Sequence, residues 1–447
     1  MNTRQEFRDK PYRSSGGIHV PHRKNTANIE SVRLPIPKTV TVPMQMHIGA
    51  PCKPLVSVGD TVLVGQKIGE SDAPVSSPVH ASVSGKVTAL KTITLASGAK
   101  CEAIVIESDG EMTPAPVTPP EITDTASFLA AVRECGLVGL GGAGFPTHIK
   151  LKVPEGKTVD TLLINAAECE PYLTADNREI VENAWDVMSG IYAVKHILGI
   201  HNVVIGVEKN KPEAIALLKK IADSSVDEKD EVHVLTLPAS YPQGAEKILI
   251  KSATGREVPP GKLPSDVGCI VLNVTSIAVL ARYLKTGMPL TEKRVTVDGG
   301  AIEKPLNVIV PIGTSVAEIL SFVGTKCEIA KLLMGGPMMG TALADTAVPV
   351  VKNTNGLIAM DEKEAAYNEP DACIRCGRCV ASCPMRLMPL SLERATLRED
   401  TEALTSLDVM NCMECGSCAF SCPAKRPLVQ SIRLGKALLR AKGAKKS

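Results

Sequence analysis

The sequence predicts an α/β, multidomain chain: a central parallel-sheet domain, a small β domain on each side of it and a helical C-terminal domain. Three observations carry that prediction. Between residues 124 and 291 apolar strand text alternates with helix-like text of ten or more residues, the pattern of βαβ units. Residues 31–110 and 292–360 read instead as short β segments broken by Gly and Pro. Beyond residue 361 the text is helical and carries two tight cysteine runs.

Taken in order, residues 1–30 form an N-terminal extension, and 31–110 a β domain. In that domain "VGDTVLVGQKIGE" and "SSPVHASVSGKV" resemble the two half-repeats of a lipoyl- or biotinyl-type barrel-sandwich hybrid. Such carriers present a modifiable lysine between the halves. "GESDAPVSSPVHASVSG" has none, so the domain is expected to be structural. A Pro-rich linker, 111–123, follows and is semi-rigid at that composition. In the α/β domain, the amphipathic stretch from Asp176 to Leu198 closes at Gly199, where a left-handed cap suits glycine. Residues 292–360, β text around the one short helix "SVAEILSFVG", suggest a β-grasp module. The cysteine domain spans 361–432, and a basic tail, 433–447, ends the sequence.

Composition narrows the function classes. At 447 residues and 44% hydrophobic content, the chain has material for about three domains with ordinary cores. Aromatics are 3%, with the single Trp185, and the net charge is +2. Both argue against a nucleic-acid partner, which needs stacking rings and a basic field. The opening "MNTRQEFRDKPYRSSGG" lacks an apolar h-region, which predicts no signal peptide. No apolar stretch approaches the ~18 residues of a spanning helix. Thiols without a secretion signal point to the cytoplasm.

The strongest motif is C-x2-C-x2-C-x3-C-P, present at Cys373, Cys376, Cys379 and Cys383 and again at Cys412, Cys415, Cys418 and Cys422. Three thiolates on a tight turn grip three corners of an iron–sulfur cubane, and the fourth points away to the other cluster. The spacing therefore assigns Cys373, Cys376, Cys379 and Cys422 to one [4Fe–4S] cluster. Cys383, Cys412, Cys415 and Cys418 hold the second. Structural zinc prefers separated ligand pairs. Arg375, Arg378 and Arg386 beside the first run, against Glu414 inside the second, predict a higher potential for the first cluster.

"GLVGLGGAGFPTHIK" contains GxGxxG at Gly139, Gly141 and Gly144. Helix-like text precedes it and Pro146 follows, so it is not a standard dinucleotide fingerprint. A bare glycine loop can still cradle phosphates through its N–H groups. Followed by "INAAECEPYLTADNREI", the loop resembles the flavin- and NADH-binding subunit of respiratory complex I and its hydrogenase relatives. With "GGIHVP", the barrel-sandwich segment and the paired cysteine runs in that order, the chain resembles the C-subunit family of the Rnf ion-translocating ferredoxin:NAD oxidoreductases.

The resemblance implies non-covalent FMN over the loop, at Gly139, Gly141, Gly142, Gly144, Lys150 and Asn165. It implies NAD(H) at Phe145, Glu168 and Glu170, the ring on adenine and the Glu170 carboxylate near the ribose. "YPQGAEK" adds flavin-side Tyr241, Gly244 and Glu246, and "VLNVTS" adds Asn273 and Ser276. The sequence departs from the pattern at Ala167, Ala245 and Lys247, which puts flavin contacts of these motifs in question. Cys169, flanked by two carboxylates, reads as structural rather than reactive.

The implied activity is electron transfer between the two clusters, FMN and NAD, without a catalytic acid or base. The implied partners are the other subunits of a membrane-bound complex that moves Na+ or H+, with ferredoxin reached through one of them. The implied place is the cytoplasmic face of the membrane, peripheral. Two alternatives stay open: the NADH-oxidising subunit of a soluble bifurcating hydrogenase or dehydrogenase, and a non-catalytic iron–sulfur scaffold.

Overall fold

The computed structural model describes residues 8–224 and 232–444. Residues 1–7 of the expected extension, Glu231 of an expected strand, and Lys445 and Lys446 of the expected tail lie outside it.

The N-terminal region carries the strands β1 (Val32–Arg33), β2 (Thr39–Pro43), β3 (Lys53–Pro54), β4 (Thr61–Val62), β5 (Lys67–Glu70), β6 (Val79–His80), β7 (Gly85–Thr94) and β8 (Lys100–Ser108). Two antiparallel sheets, ordered β2-β8-β7-β4 and β3-β5-β6, face each other. Alternating apolar residues such as Val40, Val42, Ile104 and Ile106 point inward and are fully buried. β1 does not belong here. It pairs in parallel with a strand of the β-grasp sheet, so the first strand in the two barrel-sandwich sheets is β2, from Thr39.

The α/β domain follows as α1 (Thr125–Glu134), α2 (Thr147–Leu151), β9 (Thr161–Ala166), α3 (Ala175–Leu198), β10 (Asn202–Glu208), α4 (Pro212–Asp223), β11 (Val232–Leu237), α5 (Glu246–Thr254), β12 (Cys269–Asn273) and α6 (Val274–Thr286). The four strands are parallel and ordered β11-β10-β9-β12. Their near-continuous apolar text is what a sheet covered on both faces requires. Gly199 caps α3 at φ 64°, and Asn183 inside α3 is non-helical, which kinks it. The chain lays β9, β10 and β11 outward in one direction, then returns to place β12 on the other side of β9. That reversal opens a crevice at the strands' carboxyl ends, between β9 and β12.

The β-grasp module consists of β13 (Glu292–Asp298), β14 (Leu306–Pro311), α7 (Val316–Val323), β15 (Lys331–Met334), β16 (Thr341–Ala342) and β17 (Gly356–Met360). Its sheet runs β1-β14-β13-β17-β15-β16. The C-terminal domain holds α8 (Arg378–Ala381), α9 (Pro389–Leu397), α10 (Thr401–Ser406), α11 (Ser417–Phe420) and α12 (Leu428–Ala444). The expected tail is no separate segment up to Ala444. Its residues continue α12, whose Gly435 sits against Thr396 and Leu404 while Ile432 and Leu439 join the helical core.

Candidate functional site

The crevice is assembled from strand ends. Asn165 and Asn273 are register partners at the ends of β9 and β12. The Asn273 side chain caps α6 by accepting from the N–H groups of Thr275 and Ser276, and donates to Asp176 at 2.8 Å. Asn165 donates to Gly244 O at 2.7 Å, tying β9 to the turn before α5. The glycine loop bends over these two asparagines. It closes as a small hairpin, with Val138 bridged to Pro146 and Gly139 N–H donating to Phe145 O at 2.9 Å. Ser276 anchors it from below, accepting from Leu140 N–H at 3.0 Å and donating to Val138 O at 3.2 Å. A Cβ on Gly141 would lie 2.8 Å from Asn273 Cγ, so only glycine allows the loop to lie on the asparagine. Gly142 has nothing within 4 Å of a built Cβ. Lys150 and Glu246 form a part-exposed ion pair of 2.6 Å.

The acidic loop after β9 is held by two lysines, Lys211 buried and Lys24 part-buried, that no sequence motif singled out. Lys211 donates to Ala167 O at 2.5 Å, and Lys24 donates to Glu168 O and Glu170 O, each at 2.8 Å, and to Leu173 O. Burial first, then the nearby Lys211 charge, pushes the Lys24 ammonium down to about 8. The two carboxylates are already engaged. Glu168, at φ 46°, accepts from the N–H groups of Asp176 (2.7 Å) and Asn177 (3.2 Å) and so caps α3. Glu170 accepts from Met338 N–H at 3.0 Å and lies 3.4 Å from the Tyr241 hydroxyl. Burial pushes its carboxyl up to about 7. Burial likewise lifts the Cys169 thiol to about 12, so it is protonated at neutral pH. Its Sγ accepts from Gly244 N–H at 3.3 Å, a structural contact.

The eight clustered thiols separate into two pockets. One is lined by Cys373, Cys376, Cys379 and Cys422 with Ile374, Arg375, Val380, Met388 and Arg394. The other is lined by Cys412, Cys415 and Cys418 together with Cys383, which comes from the first run. The second pocket encloses ≈ 350 Å³, the first ≈ 840 Å³, part of it open to solvent. The second lies against the crevice. Cys415 packs with Tyr241, Val20, Cys169 and Met338 in one apolar cluster. The N-terminal extension crosses the junction: Gly17 N–H donates to Ser382 O, and Ile18 bridges Tyr241.

Three family models match: the Nuo51 FMN-binding domain over residues 132–282, the RnfC barrel sandwich hybrid domain over 12–111 and a 4Fe-4S dicluster domain over 365–425. Among curated proteins, the C subunit of the Na(+)-translocating ferredoxin:NAD(+) oxidoreductase complex of Acetobacterium woodii is 45% identical over 428 residues, covering 94% of this chain and 96% of that one. The chain belongs to the C-subunit family of ion-translocating oxidoreductase complexes. The C subunit of the proton-translocating ferredoxin:NAD(+) oxidoreductase complex of Clostridium ljungdahlii is 43% identical, covering 96% of this chain and 94% of that one. The C subunit of the ion-translocating oxidoreductase complex of Rhodobacter capsulatus is 40% identical, covering 96% and 84%. Among solved structures, a chain of an NAD+-reducing [NiFe]-hydrogenase aligns with TM-score 0.49 at 19% identity, covering 71% of this chain and 63% of that chain.

The residues present fit FMN and [4Fe–4S] clusters. Over the crevice, the seat that a Cβ on Gly141 would fill and the open space above Gly142 suit a flavin. Each thiol pocket is lined by four cysteines, three from one run and the fourth from the other, the donor set of a cubane with an exchanged ligand. Two expectations change. Arg386 does not sit with the first pocket; it follows Cys383 and donates to Ser15 on the extension. Glu414 is not an uncompensated charge, since Arg433 and Lys436 pair with it at 2.8 and 2.7 Å. Ala167 packs where a Cβ on Gly244 would come 3.5 Å from its own, so its small size matches the turn. Lys24 and Lys211 left no sequence signal of their own, because a buried lysine and a surface lysine are written alike.

Proposed function

We propose that this chain is the NAD(H)-oxidoreductase subunit of a membrane-bound complex coupling electron transfer between ferredoxin and NAD to Na+ or H+ translocation. It passes electrons between a nicotinamide nucleotide and two [4Fe–4S] clusters. The observation that carries the reading is the apolar seam of Cys415, Tyr241 and Cys169, which joins the strand-end crevice directly to the second thiol pocket. FMN, when bound, supplies the exchange between two-electron hydride chemistry and one-electron steps.

Gly139, Gly141, Gly142 and Gly144 offer backbone without side chains to hold it, and Lys150, Asn165, Gly244, Glu246, Asn273 and Ser276 frame the floor and rim. Phe145 and Glu170 lie on the dinucleotide side, while Glu168 keeps the acidic loop and α3 in register. Tyr241 and the extension from Gly17 to Val20 cover the seam and exclude water from it. Cys383, Cys412, Cys415 and Cys418 hold the cluster nearer the crevice; Cys373, Cys376, Cys379 and Cys422 hold the outer one. No helix among the described residues is long and apolar enough to cross a membrane. We place the chain peripherally on the cytoplasmic face, with membrane passage left to other subunits.

The test is anaerobic purification with clusters intact, addition of FMN and then NADH, and observation of the broad iron–sulfur absorbance. Bleaching that depends on FMN is expected. Clusters that dithionite reduces but NADH with bound flavin does not would overturn the reading.

A further inference from the structure

We infer that Lys24 is the positioning residue of the loop that carries Glu168 and Glu170. Its ammonium is a built-in cation in a cage of three main-chain carbonyls, and the cage takes a free ammonium ion once the side chain is cut back. The cage stands on geometry alone; its effect on the nucleotide rests on the reading of Glu170 as the dinucleotide side.

The loop is bent so that its carbonyls converge. Glu168 at φ 46° and Tyr172 at φ 68°, on either side of Glu170, are non-glycine residues in the left-handed region. Such backbone persists only where its surroundings hold it. The bend brings Glu168 O and Glu170 O each to 2.8 Å from Lys24 Nζ and Leu173 O to the same nitrogen. Three carbonyl dipoles aimed at one point repel one another unless a cation lies between them, where they replace its hydration shell. An ammonium has three N–H donors, one for each oxygen. Lys211 is used differently. It gives the loop a single bond, to Ala167 O, and faces Asn210 at 3.2 Å and the Glu208 carboxylate at 3.6 Å.

The N-terminal extension, and not the α/β domain, delivers this cation. His22 O accepts from Tyr172 N–H at 2.9 Å, Arg23 reaches the Tyr172 hydroxyl and Glu364, and the Thr26 hydroxyl meets that of Thr174. These contacts clip residues 22–26 along residues 172–174, so the ammonium arrives at a fixed point. The loop's two carboxylates are then set from the other side: Glu168 caps α3, and Glu170 meets Met338 N–H and the Tyr241 hydroxyl. Lys24 bonds the backbone of Glu170 and acts on a nucleotide only through it.

The test uses the full chain with clusters and FMN, anaerobically, with ammonium chloride as probe and equimolar choline chloride as control. Lys24→Ala should raise the NADH concentration that half-saturates cluster bleaching about tenfold or more, as loss of hydrogen bonds from a charged donor does. The rate at saturation should stay within about twofold, the mark of lost binding rather than lost chemistry. About 0.1 M ammonium should reverse most of the NADH effect and raise the variant's denaturant midpoint by binding the folded chain; choline should do neither. Lys24→Met, whose side chain fills the cage without a charge, should need more NADH and gain nothing from ammonium. Lys219→Ala, at an exposed site on α4, should change nothing. Unchanged half-saturation in Lys24→Ala would overturn the positioning role, and recovery that is absent or equal in choline would overturn the cage. If Lys24→Ala does not fold, the unsubstituted chain decides: NAD+ should slow acetic anhydride labelling of Lys24 but not of Lys219, because loop and nucleotide stabilise each other reciprocally. Equal labelling with and without NAD+ would then overturn the role. A failure of the crevice reading looks different: NADH leaves even the unsubstituted chain unbleached, while the ammonium-specific midpoint shift still reports the cage.

Discussion

The two cysteine runs are nearly the same piece of backbone in two different places. Both turn through a left-handed glycine, Gly377 at φ 75° and Gly416 at φ 82°, and both put the residue between the first two cysteines at positive φ, Arg375 at 55° and Glu414 at 58°. In both, that residue's N–H donates to the first sulfur, Cys373 at 3.4 Å and Cys412 at 3.3 Å. What differs is the cover. The second pocket is covered by Tyr241, Met338 and the N-terminal extension, which touches Ser382 and its ligand Cys383, and the first pocket faces outward. Local sequence therefore fixes how thiols are presented, and tertiary contacts decide what they exchange electrons with.

The exchanged fourth ligand gives the hardest way to break this contrast. Cys383→Ser lies in the first run but lines the second pocket. It should remove the inner cluster and leave the outer one reducible by dithionite yet not by NADH. Cys422→Ser should do the opposite, losing the outer cluster while NADH still reduces the inner one. EPR after each reductant reads the difference, a full loss of one signal in each variant. Retention of NADH-driven reduction in Cys383→Ser would mean that the order of the two pockets is inverted.

A smaller effect sharpens the cover itself. Gly377→Ala places a methyl in open space and should cost only the left-handed backbone term, about 1–2 kcal/mol. Gly416→Ala carries the same backbone term and also drives a Cβ to 3.0 Å from Met338 O. It should cost about 1–3 kcal/mol more, as overpacking does. Denaturant unfolding of the two variants side by side gives the answer, and equal losses would show that the seal over the second pocket yields freely.

The same contrast explains what could be read from sequence. Ligand spacing, the βαβ alternation and the cap at Gly199 are local or periodic, and each left a mark in the text. The partition of cover did not. It depends on residues far from the cysteines in sequence, such as Gly16 and Gly17, which touch Cys383 and Tyr241. A Cβ on Gly16 would stand 2.5 Å from Cys383 O, so "GGIHVP" is a packing requirement of the second pocket. The β1 strand was misplaced for a related reason. A two-residue strand carries no period, and its partner β14 lies far along the chain. The expected basic tail runs on as part of α12 up to Ala444, which packs through Ile432, Gly435 and Leu439, an apolar spacing diluted by its basic residues.

Beside the covered pocket, Glu170 should give a pH signature that the outer pocket, lined by no carboxylate, lacks. Burial holds the Glu170 carboxyl near 7, above its usual 4.5. Between those values the folded chain keeps a proton that the unfolded chain releases, so stability is complete below about 4.5 and declines as pH rises toward 7. Each pKa unit is about 1.4 kcal/mol, which limits the loss to roughly 3 kcal/mol. Glu170→Gln should flatten this decline and be the more stable protein at pH 8, by denaturant midpoint. A wild-type profile level between pH 5 and 8 would show that the Met338 N–H contact already offsets the burial.

The smallest expected effect concerns the potentials. The sequence suggested a one-sided field, with arginines at the first cluster and an acid at the second. In the folded chain Glu414 is balanced by Arg433 and Lys436, and Lys436 also donates to Cys412 O. The second pocket gains a further N–H to sulfur, from Leu387 to Cys383 at 3.3 Å, which raises a cluster potential. Apolar cover lowers it, because the reduced cubane carries more charge. A higher potential for the outer cluster is expected from its contact with solvent and from Arg375 and Arg394, which line its pocket. Glu414→Gln frees two cations beside Cys412, and about 1 kcal/mol of added stabilisation would raise the inner midpoint by roughly 40 mV. Arg375→Gln should lower the outer midpoint by less, since an exposed charge is screened. EPR-monitored titration of both variants decides it. A larger shift from Arg375→Gln than from Glu414→Gln would mean that the outer pocket is the drier of the two, and the contrast between the runs would have to be reversed.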